Sequence, residues 1–210
     1  MATPRESESY HYDVFLSYSR KGQWPSFVAN IFLPAFDHLL SEELGQQIKL
    51  FQDTHEIRTG EYVQERLKRE LVRSKVMVAL WSKLYFSSDW CKIEASFMLS
   101  RAESFREKQV TDRLVLPLVI HDGADFPPLL NEIQQQDIRK YANPYLAKDS
   151  LRKEELYEVL RSFAEDVADA IRAVPDESFA WPYGDPDRYL AQLDVGSPDQ
   201  RTVPTLGLNK

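Results

Sequence analysis

The sequence predicts a flavodoxin-like α/β sandwich: a central parallel five-stranded sheet with helices on both faces. Three observations carry the prediction. Five short β-type runs alternate with segments of helical periodicity, which is the grammar of repeated βαβ units. The third run, from Val76 to Trp81, is apolar throughout, as a central strand covered on both faces requires. The first run breaks directly into a polar loop ending in glycine, Ser17 to Gly22, the form of a β-to-α turn in an open parallel sheet.

Each element follows in order. Residues 1–10 are polar and read as a frayed, disordered start. Tyr12 to Ser19 carries Val14, Phe15 and Leu16 as the first strand. From Pro25 to Leu44 the apolar positions Phe27, Val28, Ile31, Phe32, Phe36, Leu39 and Leu40 suit a helix. Pro34 should kink or divide it near Leu33, and Gly45 should close it. Ile48 to Phe51 is a second strand, and Asp53 to Glu61 a polar loop with one glycine. A helix over 61–74 buries Tyr62 or Val63, then Leu67 and Leu71, and the third strand runs from Lys75 to Trp81.

A further helix runs from Asp89 to Glu107, capped by Ser88 or Asp89. Leu114 to Ile120 is the fourth strand; Pro117 cannot donate to a ladder, so it belongs near an edge or the strand's end. An irregular loop and a short helix fill 121–137, and Ile138 to Tyr141 is read as a short fifth strand. Leu156, Leu160, Phe163, Val167 and Ile171 make Leu151 to Val174 the clearest amphipathic helix, stopped by Pro175. Residues 175–210 are rich in Pro, Gly and Asp with an aromatic cluster, and read as a linker or docking tail outside the 11–174 domain.

Composition removes several function classes. A content of 43% apolar and 12% aromatic residues is ample for one core in 210 residues. A net charge of −7 argues against an unaided nucleic-acid or anionic-membrane binder. No apolar run approaches the ~20 residues of a membrane span. The start of the chain lacks the basic and apolar regions of a signal peptide. One cysteine, Cys91, excludes an internal disulfide and fits a reducing, cytoplasmic setting, and four scattered histidines make no metal-ligand spacing.

Function concentrates in Ser82 to Glu94, SKLYFSSDWCKIE. Trp90 and Glu94 are four apart, so a helix stacks them on one face, and Phe97 and Met98 continue that face. A helix glutamate is ordinarily a solvated residue, whereas this one sits in an apolar stripe. Trp90 is read as either a core ring or a stacking surface for a ligand. Cys91 reads as a small buried hydrophobe, since no base at useful spacing marks it as a nucleophile. Ser17, Tyr18 and Arg20 follow the carboxyl end of the first strand, where open α/β sheets place ligands. Arg20 could pair with a diphosphate or lie on the surface. Ser82 and Tyr85, at the mouth of the third strand, are expected to shape the pocket. Asp53 and the Arg58–Gly60 loop either line the pocket or mediate contacts between copies.

The order of these segments resembles that of TIR (Toll/interleukin-1 receptor) domains over roughly Tyr12 to Val174. The first box is YDVFLSYS at 12–19. The second, FQDTHEIRTGEY at 51–62, is similar to the family's BB loop, with Arg58-Thr59-Gly60 where many members carry proline at the middle position. The third is the 82–94 stretch, which resembles the S-x-x-Y-x-x-S-x-W-C-x-x-E pattern of catalytically competent members.

The resemblance implies an enzyme that cleaves NAD+ between nicotinamide and ribose, with Glu94 as the catalytic carboxylate and Trp90 as its companion. It implies NAD+ as substrate, no resident cofactor, other TIR domains as partners through Arg58–Gly60, a possible sensor protein, and a place in prokaryotic antiviral or anti-phage defence. Bond breaking develops oxocarbenium character on the ribose while nicotinamide leaves neutral, so one carboxylate suffices. The rival reading is a non-catalytic scaffold that only recruits TIR domains. A phosphoacceptor receiver would need acids where Ser17-Tyr18-Ser19 and Ser82-Lys83 stand. A nucleoside deoxyribosyltransferase-like enzyme would turn over free nucleosides and leave NAD+ alone.

Overall fold

The computed structural model describes residues 9–52, 63–121, 126–147, 150–180 and 183–194. Five parallel strands form one sheet in the order β2-β1-β3-β4-β5. They are β1 (Tyr12–Tyr18), β2 (Leu50–Gln52), β3 (Ser74–Trp81), β4 (Val115–Val119) and β5 (Gln136–Asp137). This is the flavodoxin-like order, in which the chain first winds outward from β1 to β2 and then reverses through β3 to β5. Right-handed crossovers put the helices of the two halves on opposite faces. On one face α2 (Leu33–Leu44) packs with α6 (Leu151–Arg172); on the other, α3 (Val63–Val72) packs with α5 (Asp89–Glu107).

The first helical segment divides where its proline predicts. It begins as α1 (Trp24–Phe27), widens into a π-helical turn over Val28–Phe32, and resumes as α2. Pro34 lies in the first turn of α2, directly after the π-turn, and the Leu33 N–H reaches back to the Val28 carbonyl. Gly45 ends α2 at φ 67°, a left-handed cap that a side chain would strain. Phe36 stacks on Phe32 at 5.1 Å and meets Phe163 of α6 at 5.9 Å, joining the two helices of that face.

β3 is the sheet's centre, and its residues from Val76 to Trp81 are fully buried. Pro117 occupies the middle of β4, opposite Ala79. Its neighbour β5 pairs only from Leu118 onward, so the ring faces a side of β4 with no partner at that level. The fifth strand is a correction: it is Gln136–Asp137, two residues upstream of the expected Ile138–Tyr141. Ile138 donates its N–H to the Val119 carbonyl, and Tyr141 has already turned back to Ile138. Two apolar residues in Ile138–Tyr141 mimicked a strand, while the paired residues are polar and exposed.

The segment after Pro175 folds back onto the domain through Asp194. A 3-10 turn (Asp176–Ala180) precedes α7 (Pro186–Leu193), which lies along α5. Asp185 caps α7 by accepting the Arg188 N–H. Tyr189 and Leu193 are buried, Tyr183 packs on Phe97 at 4.7 Å, and Arg188 pairs with Glu103 at 2.7 Å. Lys92 of α5 meets Asp194 as well as Asp89. At the opposite end, Arg101 is 2% exposed and donates to the Ser74 carbonyl and to the Tyr10 hydroxyl, which also bonds Ser178. No described helix is long and apolar enough to cross a membrane.

Candidate functional site

The reversal of strand order between β1 and β3 opens a crevice at their carboxyl ends, the position where such sheets bind ligands. A cleft of ≈ 560 Å³, counting space open to solvent, occupies that position. Its walls are Leu16, Tyr18, Ser19, Arg20 and Lys21 from β1 and the loop after it, and Ser88, Trp90, Cys91 and Glu94 from the start of α5.

The sequence folds locally to make this arrangement. Ser88 adopts an extended backbone and its hydroxyl accepts the Cys91 N–H, which starts α5 at Asp89. One turn of helix then separates Trp90 from Glu94, so both face the cleft. Glu94 is 6% exposed, whereas Trp90 is half-buried and presents ring surface to solvent. The carboxylate is therefore held against the wall of the cleft, with the Ser17 hydroxyl donating to its Oε2 at 2.5 Å.

On the opposite wall Arg20 lies over the Tyr18 ring at 4.4 Å and donates to its hydroxyl at 2.5 Å. Gln52 of β2 donates to the same hydroxyl at 2.5 Å. This cation–π contact and hydrogen bond fix the guanidinium at the cleft edge, next to Lys21. Arg20 and Lys21 put two cationic groups on the same cleft as the Glu94 carboxylate.

Burial governs the ionisation of the groups around Glu94. Cys91 is pushed up to about 12, first by loss of solvation and then by the Glu94 charge. The Tyr85 hydroxyl is raised well above its ordinary value by complete burial, with Cys91 and Glu94 adding to the effect. Both groups stay protonated at neutral pH, so Cys91 is an inert wall residue rather than a nucleophile.

Of the residues singled out from sequence, Glu94, Trp90, Tyr18 and Arg20 are brought together on the cleft. Ser17, Ser82 and Tyr85 are not on its surface. Ser82 is 1% exposed because α4 (Lys83–Phe86) begins immediately after it, and its hydroxyl turns to accept the Tyr85 N–H. Tyr85 is fully buried behind the cleft, and Ser17 lies beneath Glu94. Asp53 and the Arg58–Gly60 loop lie outside the described residues. Lys21, Ser19 and Ser88 line the cleft without having been singled out for it. The signal for Lys21 and Ser19 was present, since they share the loop after β1 with Arg20. Among the described residues no group of three His, Cys, Asp or Glu side chains is placed to hold a metal ion.

Comparison with known proteins gives four findings. The chain is 30% identical over 139 residues to a disease resistance protein of Arabidopsis thaliana, a stretch covering 66% of this chain and 10% of that protein. The chain thus spans about a tenth of the length of that relative. Among solved structures it is similar to the TIR domain of the Toll-related receptor TRR-2 from Hydra magnipapillata, at 16% identity and TM-score 0.48, covering 74% of this chain and 98% of that one. It is also similar to the TIR domains of the activated Roq1 resistosome, at 22% identity and TM-score 0.37, covering 87% and 96%. The family model of the TIR domain matches residues 14–153, more than half of the chain, and the protein therefore belongs to the TIR-domain family.

Proposed function

We propose that this protein is an NAD+ nucleosidase that breaks the bond between nicotinamide and ribose, with Glu94 as its catalytic residue. The observation that carries the reading is a carboxylate only 6% exposed on a cleft at the sheet's switch point that it shares with Arg20 and Lys21. The bond between ribose C1′ and the nicotinamide nitrogen breaks, and its electron pair leaves with neutral nicotinamide. The positive charge left on the ribose is stabilised by the Glu94 carboxylate, whose field is strengthened by its apolar, poorly hydrated setting. Water adds at C1′ and loses a proton, giving ADP-ribose; capture by a nucleophile within the substrate gives a cyclic ADP-ribose-type product. Trp90 offers a ring face one turn away, and Arg20 with Lys21 suits the diphosphate.

The reaction serves a defence signal, and the activity rises when TIR units assemble, with Arg58–Gly60 at the contact. Incubating purified protein with NAD+ across a concentration series, and separating the products, tests this directly. The parent should release nicotinamide with a steeper than linear dependence on protein concentration. Glu94→Gln and Glu94→Ala should lower turnover by at least about a hundredfold, in line with loss of a main electrostatic stabiliser. Equal activity of Glu94→Gln and parent would sink the catalytic reading and leave a scaffold that acts by TIR–TIR contact.

A further inference from the structure

The hydrogen bonds behind the cleft form a directed chain. Ser17 Oγ lies 2.5 Å from Glu94 Oε2 and 2.8 Å from the Tyr85 hydroxyl. A serine carries one O–H, and here that proton points to the carboxylate. The remaining contact can form only if the Tyr85 hydroxyl donates to Ser17. Ser17 is 1% exposed and Tyr85 fully buried, which leaves solvent little access to either hydroxyl.

We infer that Tyr85 and Ser17 are positioning residues for Glu94: the chain Tyr85 → Ser17 → Glu94 holds the carboxylate ionised and oriented at the cleft wall. The inference rests on the reading of Glu94 as the reacting carboxylate. It accounts for the spacing of Ser82 and Tyr85 without ligand contact. Ser82 caps α4 and accepts the Tyr85 N–H at 3.1 Å, fixing the tyrosine three residues later. Phe86 packs on the Tyr85 ring at 4.9 Å and is itself wedged against Trp81 and Phe126. Two bonds on, the same order reaches Glu94. Successive bonds of this kind polarise one another, so a donor behind Ser17 strengthens the bond that Ser17 makes. Burial keeps the Tyr85 hydroxyl protonated through the neutral and mildly alkaline range, so it remains a donor there.

Among the described residues, Cys91 from its own helix and Arg20 and Lys21 from the loop after β1 line the same cleft as this carboxylate. None of them is altered by the test. A hydrogen bond to the charged form of a carboxyl lowers its pKa, so deleting the chain raises it. The Glu94 carboxyl carbon is followed by NMR in protein labelled with carboxyl-13C glutamate, its signal identified by its loss in Glu94→Gln. Tyr85→Phe, which keeps the ring, should move the Glu94 titration upward by about half a unit or more, and Ser17→Ala further. Ser17→Thr retains the hydroxyl and should restore the parent titration, which keeps the question open to refutation if Tyr85→Phe does not fold. In turnover, Tyr85→Phe should shift the acidic limb of the pH profile upward and lower kcat roughly tenfold, with KM within about twofold.

An unchanged Glu94 titration in Tyr85→Phe, or in Ser17→Ala if the tyrosine variant does not fold, overturns the chain even if Glu94 proves essential for NAD+ cleavage. A parent that consumes no NAD+ overturns the functional reading instead, and the NMR titration is still read.

Discussion

Gly184→Ala tests how the segment after α6 is seated on α5. A Cβ built at Gly184 would lie 2.8 Å from the Ser100 hydroxyl oxygen and 2.9 Å from the Ser100 carbonyl oxygen. Carbon–oxygen approaches under 3.0 Å do not survive, and the carbonyl belongs to the middle of a 19-residue helix that cannot move aside. The 183–194 segment must lift instead, at an overpacking cost of about 2 kcal/mol. That is less than the burial of Tyr189 and Leu193, worth roughly 1.5–3 kcal/mol each, so the segment should loosen without unfolding the sheet.

Two assays read this. If the segment and domain unfold together, Tm falls by roughly 4–8 °C, at ~2–4 °C per kcal/mol for a domain of this size. If the segment opens alone, trypsin should cut at Arg188 roughly thirty times faster, since every ~1.4 kcal/mol is tenfold in the open population. Ser100 supplies an internal control. Its buried hydroxyl has no hydrogen-bond partner among the described residues, so Ser100→Ala should be neutral or slightly stabilising. In that background Gly184→Ala should cost less, by about 0.5–1 kcal/mol, because one of the two clashing atoms is gone. A Gly184→Ala protein with parent Tm and parent trypsin rate would refute the close approach, and with it the placement of α7 on α5.

Three further outcomes follow from buried groups. Cys91, raised to about 12, should react with thiol reagents at pH 8 far more slowly in the native than in the unfolded protein, although it lines the cleft. Its folded value lies above its unfolded one, so it contributes stability below pH 9 that is lost as pH rises towards 12. Cys91→Ala should therefore show a shallower alkaline loss of stability than the parent, and equal slopes would refute the shift. Arg101→Met keeps the apolar stem but strips the Ser74 carbonyl of its buried donor; chemical denaturation should show a loss of about 1–3 kcal/mol with the m-value unchanged.

Most of the sheet and the helix that carries Glu94 were legible from sequence because they rest on local signals. The β3 run is apolar at every residue from Val76 to Trp81, as a central parallel strand covered on both faces requires. Ser88 before Asp89 marks a helix start by its capping chemistry, and the helix over 89–107 begins and ends where periodicity placed it. Pro34 divides its helix and Gly45 ends it for reasons internal to each residue. β5 failed the same approach. Two polar residues become a strand only because Leu118 and Val119 offer an unfilled edge beside them, a fact about β4 and not about Gln136 or Asp137.

The site divides along the same line. The spacing of Trp90 and Glu94 on one helix face follows from 3.6 residues per turn, and the loop after β1 was marked by its place at the end of a strand. Which hydroxyls touch a ligand and which touch one another was decided by packing. Ser17, Ser82 and Tyr85 belong to two strands' ends and a single-turn helix, and only the register of β1 on β3 brings Ser17 between Tyr85 and Glu94. The sequence by itself determined that a carboxylate would stand on an apolar helix face at the carboxyl edge of a parallel sheet. The tertiary structure alone decided what holds that carboxylate, because hydrogen bonds between residues 68 and 77 positions apart depend on chain paths that no local propensity encodes.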